Sequence, residues 1–172
     1  MIILGIDPSV QATGFGIIEF KEAKTFVLAY GVIKPRRGLP LYRKIHEIHN
    51  SVDKIITDYN PDEVAVESLF YAQNIKTALT LGQARGAALV AVAEKDRPLY
   101  EYSPLEIKKA VTGYGQAGKE QVITMIKALL QIDDDNMTAD EADALAAALC
   151  HLNASHINRT VKESSGGKRT VK

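Results

Sequence analysis

The chain has 172 residues, 46% hydrophobic and 24% charged, enough for one domain with a sizeable core and ordinary for a globular protein. A single cysteine, Cys150, excludes an internal disulfide framework and a cysteine-based zinc site. The zero net charge argues at first against a nucleic-acid partner, but from Ala154 onward Arg159, Lys162, Lys168, Arg169 and Lys172 face Glu163 alone, so the body is acidic.

The N-terminus runs at once into Ile2-Ile3-Leu4-Gly5-Ile6, a buried strand that Asp7 ends. With no basic leader and no apolar run of membrane length, a cytoplasmic protein with no membrane partner is expected. Pro8 to Thr13 reads as a turn, Gly14 to Phe20 as a second strand and Lys21 to Lys24 as a charged hairpin link. A third strand, Thr25 to Ile33, is broken off by Pro35 and Gly38. Leu41, Ile45, Ile48, Val52, Ile55 and Ile56 recur at helical spacing within Leu39 to Tyr59, and Asn60-Pro61-Asp62 stops that helix. Glu63 to Glu67 reads as a fourth strand, Ile75 to Lys95 as a long alanine- and leucine-rich helix, and Pro98 to Tyr102 as a fifth strand. Helices over Pro104 to Val111 and Lys119 to Leu130 flank a glycine-rich loop, Thr112 to Gly118.

The acidic run Asp133-Asp134-Asp135 reads as a solvated linker, because consecutive loop residues point in divergent directions. The last helix, Ala139 to Asn153, starts with a capping box of Thr138 and Glu141. Residues 154–172 lack periodicity and are expected to form a basic, disordered tail beyond a domain of residues 1–153. Three strands joined by tight links, followed by alternating helix and strand, predict an α/β fold. Its five-stranded mixed sheet has the first three strands antiparallel, the last two parallel to the first, and helices on its flanks.

Asp7 and Glu67 end strands one and four, which as parallel neighbours would bring both carboxylates out at the carboxyl edge of the sheet, where α/β proteins bind ligands. Asp140 and Asp143 share a face of the last helix, and packing that face over the edge would gather four carboxylates. Singly, Asp7 reads equally well as a turn residue before Pro8, Glu67 as a surface residue, and Asp140 as a helix-start carboxylate favoured by the dipole. Asp143 lies deeper in an alanine-rich helix and has less structural excuse. Together they call for divalent cations, since crowded carboxylates raise one another's pKa; Mg²⁺ suits such oxygens plus substrate phosphates.

The ordered segments Gly5-Ile6-Asp7-Pro8, Thr13-Gly14-Phe15-Gly16, Val66-Glu67-Ser68-Leu69-Phe70, Leu81-Gly82-Gln83-Ala84-Arg85-Gly86 and Ala139-Asp140-Glu141-Ala142-Asp143-Ala144-Leu145-Ala146 resemble the RuvC family. These are bacterial Holliday-junction resolvases of the RNase H-like superfamily. The resemblance implies an RNase H-like fold and a homodimer that nicks two strands of like polarity across a four-way DNA junction. It also implies two Mg²⁺ ions per subunit, with Mn²⁺ able to substitute, and work alongside the RuvA and RuvB branch-migration proteins. It maps the catalytic, metal-holding acids onto Asp7, Glu67, Asp140 and Asp143, a stacking aromatic onto Phe70 with Tyr71 beside it, and basic DNA contacts onto Lys108 and Lys119. A loop reading of Phe70 to Asn74 favours stacking on a base over a core role, and the small residues of the long helix suit a C₂ interface or its own sheet. Ser9 departs from the family's usual glycine, and Asp143 stands where some members carry histidine. Competing readings are a YqgF-type nuclease of structured RNA, an actin-like ATP-binding module, for which the chain is short, and a junction-binding protein with a defunct site.

Overall fold

The computed structural model describes residues 1–68 and 75–166, with side chains as far as Ser155. Strands β1 (Ile2–Asp7), β2 (Thr13–Lys21), β3 (Lys24–Ile33), β4 (Glu63–Glu67) and β5 (Leu99–Tyr102) form a five-stranded sheet in the order β3-β2-β1-β4-β5. The first three strands are antiparallel, β4 lies parallel to β1 and β5 parallel to β4, as the alternation of elements predicts. The β2–β3 hairpin closes through Glu22 and Ala23, both at positive φ (52° and 59°), a turn whose twist matches that of the strands.

Strand alternation sorts the core into two layers. On one face Leu4, Ile6, Ile17, Val64 and Val66 pack with α1 (Leu41–Tyr59) and α2 (Ile75–Glu94) through Ile48, Val52, Ile56, Ala84 and Ala88. On the other, Ile3, Ile18 and Ala65 pack with α3 (Pro104–Thr112), α4 (Lys119–Leu130) and α5 (Ala139–Gly166) through Ile107, Val122, Ile126 and Leu145. Each fully buried isoleucine or leucine contributes about 1.5–3 kcal/mol.

Helix α5 lies almost directly on the sheet, and glycines make that possible. A Cβ on Gly14 would stand 1.9 Å from the Asp140 carbonyl oxygen, and one on Gly5 would stand 2.0 Å from that of Ala144. The facing helix is correspondingly stripped to alanine: Ala142, Ala144, Ala146, Ala147 and Ala148 are all fully buried. The expected capping box starts the helix, with Glu141 accepting from the Thr138 backbone N–H at 2.7 Å and Thr138 Oγ1 accepting from the Glu141 N–H at 3.4 Å.

Two expectations change. The last helix does not stop at Asn153 but continues to Gly166, so the first part of the expected disordered tail has a helical backbone. No proline or glycine interrupts residues 139–165, so nothing local terminates it. The acidic linker is solvated, yet Asp134 is pinned, accepting from the Tyr30 hydroxyl at 2.9 Å and from the Asn136 N–H at 2.8 Å.

A buried polar group fastens the middle of α5. His151, 2% exposed, has Nε2 at 2.6 Å from a Glu63 carboxylate oxygen and Nδ1 at 2.7 Å from the Tyr102 hydroxyl, with Tyr100 stacked on its ring. Partners on both ring nitrogens remove the penalty of burying them.

Candidate active site

The register of β1 on β4 runs Ile3 with Glu63 through Ile6 with Val66, so one further step sets Asp7 beside Glu67 at the carboxyl ends of two parallel strands. By alternation both lie on the α5 face, with Gly5 and Ala65. Asp7 is also paired across β2 with Gly14, the residue on which the Asp140 backbone rests. Close seating of α5 therefore brings its first turn over Asp7, and Asp143, one turn on, faces the same edge.

The electrostatics report the convergence. Burial, then Glu67, Asp143 and Asp140, push the Asp7 carboxyl up to about 7, with Lys119 pulling against them. Burial and Asp143 raise Glu67, which Lys108 and Lys119 partly offset. Burial raises Asp143 too, opposed by the same two lysines and reinforced by Asp140. Asp7 thus feels the other three expected acids, Asp143 acts on Glu67 and feels Asp140, and both expected lysines act on the cluster. Lys108 is carried by α3, whose start has its own capping box of Ser103 and Glu106; exposed Lys119 opens α4 just past the glycine-rich loop. Among the described residues no three acidic, histidine or cysteine side chains stand close enough together to hold a metal ion between them. Phe70 and Tyr71 lie outside the described residues.

The turn after Asp7 tolerates Ser9. Its backbone is not among the residues at positive φ, so the family's glycine is not required for conformation here. Thr13, fully buried, donates from Oγ1 to the Ser9 carbonyl at 2.6 Å and accepts from the Ser9 N–H at 3.1 Å, closing the loop.

Arg85 has a role that sequence alone does not disclose. From α2 its Nε reaches the Glu67 carbonyl oxygen in a long contact of 3.5 Å, while its guanidinium also pairs with Glu101 on β5. It braces the end of β4 where the ladder runs out. Its place in Leu-Gly-Gln-Ala-Arg-Gly was visible; its partner, eighteen residues back on another element, was not.

A sheet ordered 3-2-1-4-5, with an acid ending each of two parallel strands and a helix laying two more across their edge, defines the RNase H-like class of nucleic-acid enzyme. The sequence matches the family described as crossover junction endodeoxyribonuclease RuvC over residues 3–151. It is 41% identical over 166 residues to the RuvC of Clostridioides difficile, covering 96% of this chain and 98% of that protein. A T. thermophilus RuvC solved in complex with a Holliday junction substrate superposes with a TM-score of 0.85 at 34% identity, covering 92% of this chain and 96% of that one. The yeast mitochondrial resolvase Ydc2 shares the fold at 14% identity, with a TM-score of 0.66 and coverage of 94% and 85%. The chain belongs to the RuvC family. It is a nuclease of a family whose chemistry depends on divalent metal.

Proposed function

We propose that this chain resolves four-way DNA junctions as a homodimer, each subunit nicking one of two strands of like polarity with Mg²⁺ at its acid cluster. The observation that carries this reading is the joining of Asp7, Glu67, Asp140 and Asp143 into one mutually repelling cluster in a RuvC-family chain. The donor set fits a small hard cation, since every ligand is a carboxylate that positive charge would relieve. Mg²⁺ characteristically keeps several waters and binds through one or two carboxylates plus substrate phosphate oxygens, and Mn²⁺ accepts the same oxygen donors. Two bound ions would supply an activated water and stabilise the leaving oxygen in phosphodiester cleavage.

The chain's own residues position the rest. Asp7 and Glu67 hold a fixed spacing because backbone register sets it, and Asp140 and Asp143 close over them from α5. Lys108 and Lys119 attract the phosphates that the carboxylates would otherwise repel. Phe70, with Tyr71 beside it, stacks on an unpaired base. Paired nicks call for a two-fold enzyme, and α2 offers a face for one: Ile75, Leu79 and Val90 are exposed along one side, with open space beside Gly86 between them. No described helix is long and apolar enough to cross a membrane. We place the enzyme in the cytoplasm with RuvA and RuvB as partners.

The test compares wild type with Asp7→Asn on a four-way junction, a linear duplex and a structured RNA in Mg²⁺. The expected result is junction cleavage by wild type alone, with junction binding retained by the variant. Equal cutting of duplex and junction, or an uncut junction with both proteins, overturns the proposal.

A further inference from the structure

We infer that the cleft between the β1–β2 loop and the β3–α1 connection is a second DNA site, which holds backbone phosphates of a junction arm away from the cut. The inference rests on the reading of the chain as a junction enzyme and adds to it a surface outside the acid cluster and its two lysines.

The cleft has a volume of about 640 Å³ and includes Gln11, Lys34, Arg36, Arg37 and Lys44 in its wall. Arg36 is committed to structure: its Nε donates to Glu47 at 2.6 Å and its backbone N–H to the other carboxylate oxygen at 2.9 Å. That pair clips the connection onto α1 and fixes where the neighbouring cations stand. Lys34 and Arg37 are exposed, and neither they nor Lys44 has an ion-pair partner among the described residues. No acid lines the cleft. In a body that is acidic as a whole, three unpaired cations around one concavity make a local anion site.

Its place in the sheet identifies the anion. Asp7 pairs with Gly14 and Gly14 with Val32, so these residues form one row across β1, β2 and β3, and Lys34 lies just past its end. With strands about 4.8 Å apart, the cleft lies on the order of 10–15 Å from Asp7. Lys108 and Lys119, from α3 and α4, act on the acids from the α5 side of the sheet, whereas Val10 of the cleft packs in the α1 layer. The cleft and the acid cluster with its two lysines therefore share the end of the sheet where β1 and β3 finish. A duplex laid across that end advances about 3.4 Å per nucleotide, so the cleft meets phosphates about three to four nucleotides from the cut.

The test is fluorescence anisotropy with a labelled four-way junction and a linear duplex, in EDTA, from 50 to 200 mM KCl. It compares wild type, Lys34→Gln/Arg37→Gln, and a control with the same charge removed at the opposite end of the sheet, Lys21→Gln/Lys24→Gln. Each phosphate contact contributes about 0.9 to the slope of log affinity against log salt. The cleft variant is expected to lose about 2 from that slope and at least about tenfold in junction affinity at 100 mM, with the control at wild-type values. Wild-type slope and affinity in the cleft variant, or an equal loss in the control, overturns the inference. If wild type binds junction no better than duplex, the junction reading fails, and the duplex slopes alone then decide the cleft.

Discussion

Removing the charge of Asp7 should stabilise the metal-free protein while abolishing its cleavage. Asp7 is raised from 3.8 to about 7, so the folded chain holds this proton far more tightly than the unfolded chain does. Its ionisation therefore opposes folding: the cost is absent below pH 4, grows as pH rises from 3.8 towards 7, and is complete above. At 1.36 kcal/mol per tenfold in proton affinity, the full cost at pH 8 is about 4 kcal/mol, falling to about 2 kcal/mol at pH 5. Asn at the same place keeps a buried polar group, which costs about 2 kcal/mol itself. The expected net gain for Asp7→Asn is then about 2 kcal/mol at pH 8, an increase of about 4–8 °C in Tm for a chain of this size, and close to nothing at pH 5. Thermal melts of both proteins in EDTA at the two pH values measure it. Mg²⁺ at pH 8 should then raise the wild-type Tm more than that of the variant, because it relieves the repulsion the substitution has already removed. A variant less stable than wild type at pH 8, by the same margin as at pH 5, would refute the strained cluster.

The remaining predictions concern what holds the cluster in place. Gly14→Ala puts a methyl 1.9 Å from the Asp140 carbonyl oxygen, so α5 must lift; a loss of about 2 kcal/mol in urea unfolding and about 100-fold in cleavage rate is expected, since small misplacements of catalytic groups are expensive. Gly86→Ala, with nothing within 4 Å, should leave the subunit's unfolding midpoint unchanged or slightly raised. Arg85→Ala removes the brace on the Glu67 carbonyl and the pair with Glu101; cleavage should fall about tenfold, with a higher Mg²⁺ requirement in a titration and unchanged junction affinity. His151→Ala leaves the Glu63 carboxylate and the Tyr102 hydroxyl facing a void, and calorimetry should show a loss of about 2–4 kcal/mol.

Much was settled by sequence alone, because local chemistry settles it. Strand ends fall at Asp7 and Glu67 because apolar β-branched runs stop there, and the start of α5 is written in Thr138 and Glu141. Element order also made β1 and β4 parallel, since a helical crossover separates them. Those facts by themselves place two acids at one sheet edge. The end of α5 is not legible in the sequence for the complementary reason: fading periodicity past Asn153 reports lost packing, whereas helix termination needs a breaker that the sequence does not supply before Gly166.

Tertiary structure alone decided how the two halves of the cluster meet. Gly14 and Asp140 are far apart in sequence, and nothing local says that one is missing a side chain to admit the other's backbone. Likewise the hold of Arg85 on the Glu67 carbonyl, the tie of Tyr30 to Asp134 and the position of Lys34 relative to Asp7 depend on strand register and helix seating. Propensity, capping and periodicity act over a few residues, so a sequence displays them directly. Contact between distant elements arises from the joint packing of many side chains, and the folded chain is where that sum is taken.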